Sequence, residues 1–186
     1  MNKISTYKPE KDQAKFVYKS PYINVVSYKD WLFTKESDMV VCIPYLIEEN
    51  KIILRIEYIP TFEYRDNYEN FLTVMSGTIE DGEEPSQTLI RELKEELGIE
   101  LRYGMEIKFD SELFVSKGNC TKYHTCILPL TKGDYNEVVA TTDGSIAEQK
   151  SSSVKVDVKY INQLKPNDVI TALMIEKIKK YLNIYD

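Results

Sequence analysis

Residues Gly77–Ile99 read GTIEDGEEPSQTLIRELKEELGI, and this stretch decides the fold. Its second half has helical spacing. Leu89, Leu93 and Leu97 recur every four residues and form one apolar stripe. Pro85 suits a first helical turn, where its missing N–H is not needed. Gly98 stands where a left-handed C-terminal stop is expected. The spacing predicts a helix over 84–97, fed by a loop that begins at Gly77, where a glycine allows unusual backbone angles and close approach of a ligand.

The polar face of this helix is unusual. Glu92 has Glu95 and Glu96 as its neighbours three and four residues on, so three carboxylates share one face. Like charges at that spacing repel by a few tenths of a kcal/mol per pair. Two readings stand: an ordinary solvated charged face, or a face whose repulsion is offset by a divalent cation held through oxygen ligands. Glu83 lies eight residues before Arg91, and the two can pair if the loop folds back along the helix.

The loop that begins at Gly77, ends on Glu83 and feeds the helix favours the second reading, and the net charge is concentrated in the same stretch. The chain has 186 residues and a net charge of −6. Eight acidic and two basic residues fall between Gly77 and Glu100, so the whole net charge lies in this stretch. No basic stripe exists, and no nucleic-acid partner is expected. The cysteines are Cys42, Cys120 and Cys126, with no CxxC pair, and the one histidine is His124. That excludes a disulfide framework and a Cys/His zinc set as expectations. Carboxylates are the remaining ligands, which suits Mg²⁺, with Mn²⁺ as a possible substitute.

Outward from the helix, short runs rich in aromatic and β-branched residues predict strands at 16–18, 22–28 and 30–34. Buried or half-buried strands are expected at 39–47, 51–59, 71–76, 113–115, 123–130 and 153–160. Residues 60–70 read as a polar, aromatic loop, and 132–153 as a long polar loop of the kind that is often functional. A second amphipathic helix is expected over 167–182, capped by Asn167 or Asp168, with Val169, Ile170, Leu173, Ile178 and Leu182 buried. The longest apolar run, 39–47, is too short to span a bilayer. Residues 1–15 contain no apolar signal core. The expectation is a cytoplasmic protein with no membrane partner. Strands, helix, strands and helix make an α/β chain with a mixed sheet and helices packed on it.

The pattern Gly77, Glu83, Arg91-Glu92-Leu93, Glu95-Glu96 and Gly98-Ile99 resembles the Nudix box, G-x5-E-x7-R-E-U-x-E-E-x-G-U with U a bulky aliphatic, at all its fixed positions. The resemblance implies a Nudix-type α/β/α sandwich over 39–186, with the box at 77–99. It implies hydrolysis of a phosphoanhydride bond in a nucleoside diphosphate linked to another moiety. Carried over, Glu92, Glu95, Glu96 and the Gly77 carbonyl would bind metal, and Arg91 and Glu83 would brace the box. The general base would be Glu92 or Glu96, or a glutamate of the later loop, Glu148 or Glu137.

The flanks carry a second resemblance. Ile53-Leu54-Arg55-Ile56-Glu57-Tyr58-Ile59-Pro60 looks like the strand-and-loop segment of ADP-ribose and nucleotide-sugar pyrophosphatases. Asp168–Leu173 resembles the start of their C-terminal helix. Met75-Ser76 stand where that family often has Pro-Ala, and Thr73 where it has a glutamate. The implied substrate is ADP-ribose or a nucleotide sugar. Dinucleoside polyphosphates, NADH, nucleoside triphosphates, RNA caps and a non-catalytic nucleotide-sensing role are the alternatives. The strand-rich segment 1–38 resembles the part those enzymes use to form a homodimer. Arg55 reads either as a bidentate phosphate contact or as a cross-strand partner. Tyr58, Phe62, Tyr64, Tyr68 and Phe71 read either as base-stacking residues or as packing.

Overall fold

A computed structural model describes residues 14–21, 23–66, 70–141 and 149–184. The centre is a strand pair in which β4 (Met39–Leu46) runs parallel to β10 (Asn119–Leu130). β4 is buried on both faces because its side chains alternate between two layers. Val40 and Cys42 join Leu89 and Leu93 in one core. Val41 and Ile43 join Met174, Ile175 and Ile178 in the other. One layer is the helix α2 (Pro85–Leu97) and the other is α3 (Val169–Tyr181). A mixed sheet between two helical layers is the expected α/β/α sandwich.

The sheet order places β5 (Lys51–Glu57) beside β4, and β12 (Ser152–Asp157) beyond it. β7 (Met75–Thr78) pairs with Met39–Cys42, and β5 takes over at Tyr45. Pro44 has no N–H to give and falls at this change of partner. β9 (Ser111–Ser116) borders β10. The N-terminal strands β1 (Lys15–Lys19), β2 (Asn24–Tyr28) and β3 (Trp31–Lys35) form an antiparallel extension joined to β10 at Thr34.

Several expectations are corrected. Residues 60–70 are not wholly loop: Pro60–Asp66 forms α1, with Pro60 at its start. The run 71–76 is broken into β6 (Phe71–Thr73), which pairs with β5, and β7, which pairs with β4. The long polar segment contains β11 (Tyr135–Glu137), paired with β8 (Ile99–Leu101). The last strand stops at Asp157, whose side chain caps a 3₁₀ turn over Val158–Gln163. In α3, Asp168 is the cap, Val169 is exposed, and Thr171, Met174 and Ile175 face the core with Ile178.

Gly98 ends α2 with φ at 64°. A Cβ there would lie 2.3 Å from the Val138 carbonyl oxygen. The strap after β11 is bonded back to this turn, Val138 N–H donating to Gly98 O at 2.8 Å. Gly98→Ala should destabilise the chain by at least about 1–2 kcal/mol from backbone strain alone, and by more because the obstructing atom is backbone. Urea unfolding checks this.

Candidate metal and active site

The loop between β7 and α2 is held from within. Glu83 N–H donates to Glu80 O, and Glu80 N–H donates to the Glu83 carboxylate at 3.2 Å. Gln87 Oε1 accepts the Glu84 N–H at 2.8 Å and closes the helix entrance. Arg91 then forks onto Glu83: Nε to Oε1 at 3.1 Å and Nη2 to Oε2 at 3.1 Å. Nη2 also donates to the Thr78 carbonyl at 3.1 Å. A bidentate guanidinium fixes direction as well as distance, so loop and helix form one rigid corner.

Arg91, with the Thr88 hydroxyl adding to it, holds the Glu83 carboxyl down at about 2, from an ordinary 4.5. A depressed carboxylate contributes stability above its unfolded pKa and loses it as pH falls through the folded one. Protection of the amides at 79–84 against exchange, relative to their intrinsic rates at each pH, should therefore fall between about pH 4.5 and 2. Glu83→Gln should show faster exchange at neutral pH and no such titration.

The same guanidinium reaches the helix carboxylates. Arg91 Nη1 lies 2.7 Å from Glu92 Oε1 and 3.2 Å from Glu95 Oε2. Glu92 is 9% exposed. It occupies the space left by Gly77, where a Cβ would come within 2.2 Å of Glu92 Cγ. Glu96 faces the sheet. Arg55 is 5% exposed; it donates through Nη1 to the Glu96 carbonyl at 3.0 Å, and its Nη2 lies 3.4 Å from Glu96 Oε1. Its Nε lies 3.4 Å from Glu57. Gly77, Glu92, Glu95 and Glu96 line a groove of about 440 Å³ together with Glu80 and Arg91.

The family resemblance implies a divalent cation here. Among the described residues no three Asp, Glu, His or Cys side chains converge on one point, because Glu92 and Glu95 turn to Arg91 and Glu96 to Arg55. The donor set nevertheless fits. It consists of oxygens alone, as a hard cation requires. The carboxylates sit on one helical face, within side-chain rotation of one another. Gly77 brings a backbone strand against Glu92 as no other residue would.

Other sequence candidates lie elsewhere. Arg55 and Tyr58 line neither this groove nor the pocket beside it. The Tyr58 hydroxyl bonds Glu63, and Lys150 Nζ sits 4.0 Å above its ring. Glu137 is exposed and paired with Lys155 at 3.2 Å, away from the groove lining. Glu148 and Tyr68 lie outside the described residues. Phe62 and Phe71 pack edge to face at 4.7 Å, and Tyr64 is exposed. His124 packs edge to face against Phe109 and lies 3.7 Å from Glu112, a packed position.

Sequence reasoning missed an apolar pocket of about 470 Å³, walled by Ile59, Phe62, Val74, Val115 and Ile170. It shares Met39 and Ser76 with the acidic groove, so the two cavities adjoin. Its volume falls in the range of about 300–1,000 Å³ usual for small-molecule sites. Its walls come from four distant parts of the chain, and no local pattern marks them.

Comparison with known proteins gives the family and the fold. Residues 39–152 match the family model described as the NUDIX domain. A solved structure, "Crystal structure of ADP compounds hydrolase", superposes with a TM-score of 0.67 at 17% identity, covering 91% of each chain. At that identity the likeness is one of fold. No curated protein matches the sequence.

Proposed function

Because the chain belongs to the NUDIX family of pyrophosphohydrolases, we propose that it hydrolyses, with Mg²⁺, a nucleoside diphosphate linked to another moiety, ADP-ribose or a nucleotide sugar. The observation that carries this reading is the shared wall of the two cavities. A diphosphate in the acidic groove would leave its organic part beside an apolar pocket. The similar structure's name, an ADP compounds hydrolase, supports the same substrate class.

On this reading Glu92, Glu95, Glu96 and the Gly77 carbonyl hold the cation. When bound, it neutralises the diphosphate and makes a water acidic enough to attack. Glu92 or Glu96 would take the proton of that water. Arg91 and Glu83 keep loop and helix in register. Arg55 is a positioning residue that fixes the Glu96 backbone and carboxylate.

Residues 39–186 make up the catalytic domain, and 1–38 an appended segment through which two copies associate. Phe16, Tyr18, Trp31 and Leu32 support that association, since β1 and β3 leave them exposed. No helix among the described residues is long and apolar enough to cross a membrane, and the cytoplasm is the compartment this reading takes.

The test is a substrate panel with and without Mg²⁺: ADP-ribose, sugar nucleotides, NADH, dinucleoside polyphosphates, nucleoside triphosphates and capped RNA. Release of a nucleoside monophosphate from ADP-ribose, abolished by EDTA and restored by Mg²⁺ or Mn²⁺, is the expected result. Turnover of triphosphates alone overturns the substrate assignment.

A further inference from the structure

Two residues that line the apolar pocket carry buried polar atoms. The atoms are Thr73 Oγ1 and Asp168 Oδ2, and neither has a hydrogen-bond partner among the described residues. Thr73 is 6% exposed. Asp168 Oδ1 accepts the Thr171 N–H at 2.8 Å and so caps α3. One oxygen of the carboxylate is therefore committed to the helix, which fixes the orientation of the other. An unpaired buried polar group costs about 1–3 kcal/mol, and more when charged. Two such atoms on residues that line one cavity, with Phe62, Val74 and Ile170, are what a recognition site looks like before its ligand arrives.

Their chemistry selects the ligand. A carboxylate oxygen only accepts, so it needs an N–H or O–H; a threonine hydroxyl accepts and donates. A sugar would bring several hydroxyls against apolar walls with two partners among them. A flat heterocycle puts its faces on those walls and concentrates its polar atoms at one edge.

We propose that this pocket holds the nucleobase, and that Asp168 and Thr73 select a base edge with an exocyclic amino group beside an accepting ring nitrogen, as in adenine, cytosine or the N2–N3 edge of guanine, over one with a carbonyl there and no such amino group, as in hypoxanthine or uracil. The amino N–H donates to Asp168 Oδ2, and the Thr73 hydroxyl donates to the ring nitrogen. In hypoxanthine or uracil a carbonyl oxygen faces the carboxylate instead, leaving two acceptors opposed. The assignment rests on the proposed hydrolysis, since it places the base beside the diphosphate groove.

Asp168→Asn is the decisive variant. Asparagine caps a helix as well as aspartate, so its Oδ1 keeps the Thr171 bond. The other position becomes an NH₂ donor, which reverses the polarity the base meets. Calorimetric binding of AMP and IMP, without metal, is measured for both proteins. Wild type should bind AMP on the order of a hundredfold more tightly, and Asp168→Asn should favour IMP. Thr73→Val keeps the shape, should fold normally, and should weaken AMP about tenfold.

Equal affinities in wild type, or an Asp168→Asn protein that still folds and keeps the AMP preference, overturn the assignment. A parallel comparison of ADP-ribose with inosine diphosphate ribose separates the two claims. Hydrolysis of both at equal kcat/KM defeats the base assignment and keeps the reaction. AMP preference without hydrolysis of any conjugate defeats the reaction and keeps the pocket.

Discussion

Glu96→Gln should lower kcat for the proposed Mg²⁺-dependent hydrolysis by about a hundredfold to ten-thousandfold while the chain stays folded. The range is that of losing a proton-transfer group, and losing a metal ligand acts in the same direction. The substitution isolates charge from shape. Glutamine keeps the volume of the side chain and one oxygen for Arg55, whose Nη1 still reaches the Glu96 carbonyl at 3.0 Å. What disappears is the negative charge that would bind a cation and the lone pair that would accept a proton on the proposed reading. Arg55 retains Glu57 at 3.4 Å, so no guanidinium is stranded. Steady-state kinetics at saturating Mg²⁺, with circular dichroism as the check on folding, measure the effect. An unchanged rate in a folded protein would remove Glu96 from the active site.

Gly77→Ala has an effect of similar size on rate and works through a different atom. The new methyl would lie 2.2 Å from Glu92 Cγ and 2.3 Å from its Cδ and Oε1. Glu92 then swings out, breaking its 2.7 Å contact with Arg91, or α2 moves off β7. The first route costs less, because a side chain rotates more easily than a packed helix shifts. The expected result is a loss of kcat of about a hundredfold or more, as for removal of a metal-binding carboxylate, with about 1–3 kcal/mol of destabilisation from overpacking. A double-mutant cycle identifies the route. With Glu92→Ala already present, the collision is gone, so adding Gly77→Ala should cost little further stability or rate. Full additivity would show that Gly77 acts through something other than Glu92.

The two glutamates differed in how legible they were. The shared face of Glu92, Glu95 and Glu96 follows from helical spacing alone, and the Glu83–Arg91 fork needed only a loop that folds back over eight residues. Which cation each carboxylate meets did not follow. Arg55 read equally as a phosphate contact and as a cross-strand partner, and only the packing of β5 beneath the end of α2 turns it toward Glu96. Val169 read as buried and is exposed, while Met174 and Ile175 are inside. An apolar residue next to a helix cap is compatible with either rotation of the helix, and contact with Val41 and Ile43 decides between them. Residues 60–66 are too short a helix to show a period.

What the sequence determined by itself was local: a capped helix with an apolar stripe, its glycine stop, a loop tied to it by Glu83 and Arg91, and a strand at 39–46 apolar on both sides. These depend on residues within about two helical turns of each other, where spacing dictates contact. What only the tertiary structure decided was the pocket. Thr73 and Asp168 are far apart in the chain, and each is unremarkable alone. They line one pocket because α3 packs on the sheet to which β6 belongs, an arrangement set by burial of the second core. Each keeps a buried polar atom without a hydrogen-bond partner among the described residues, beside the pocket that adjoins the acidic groove.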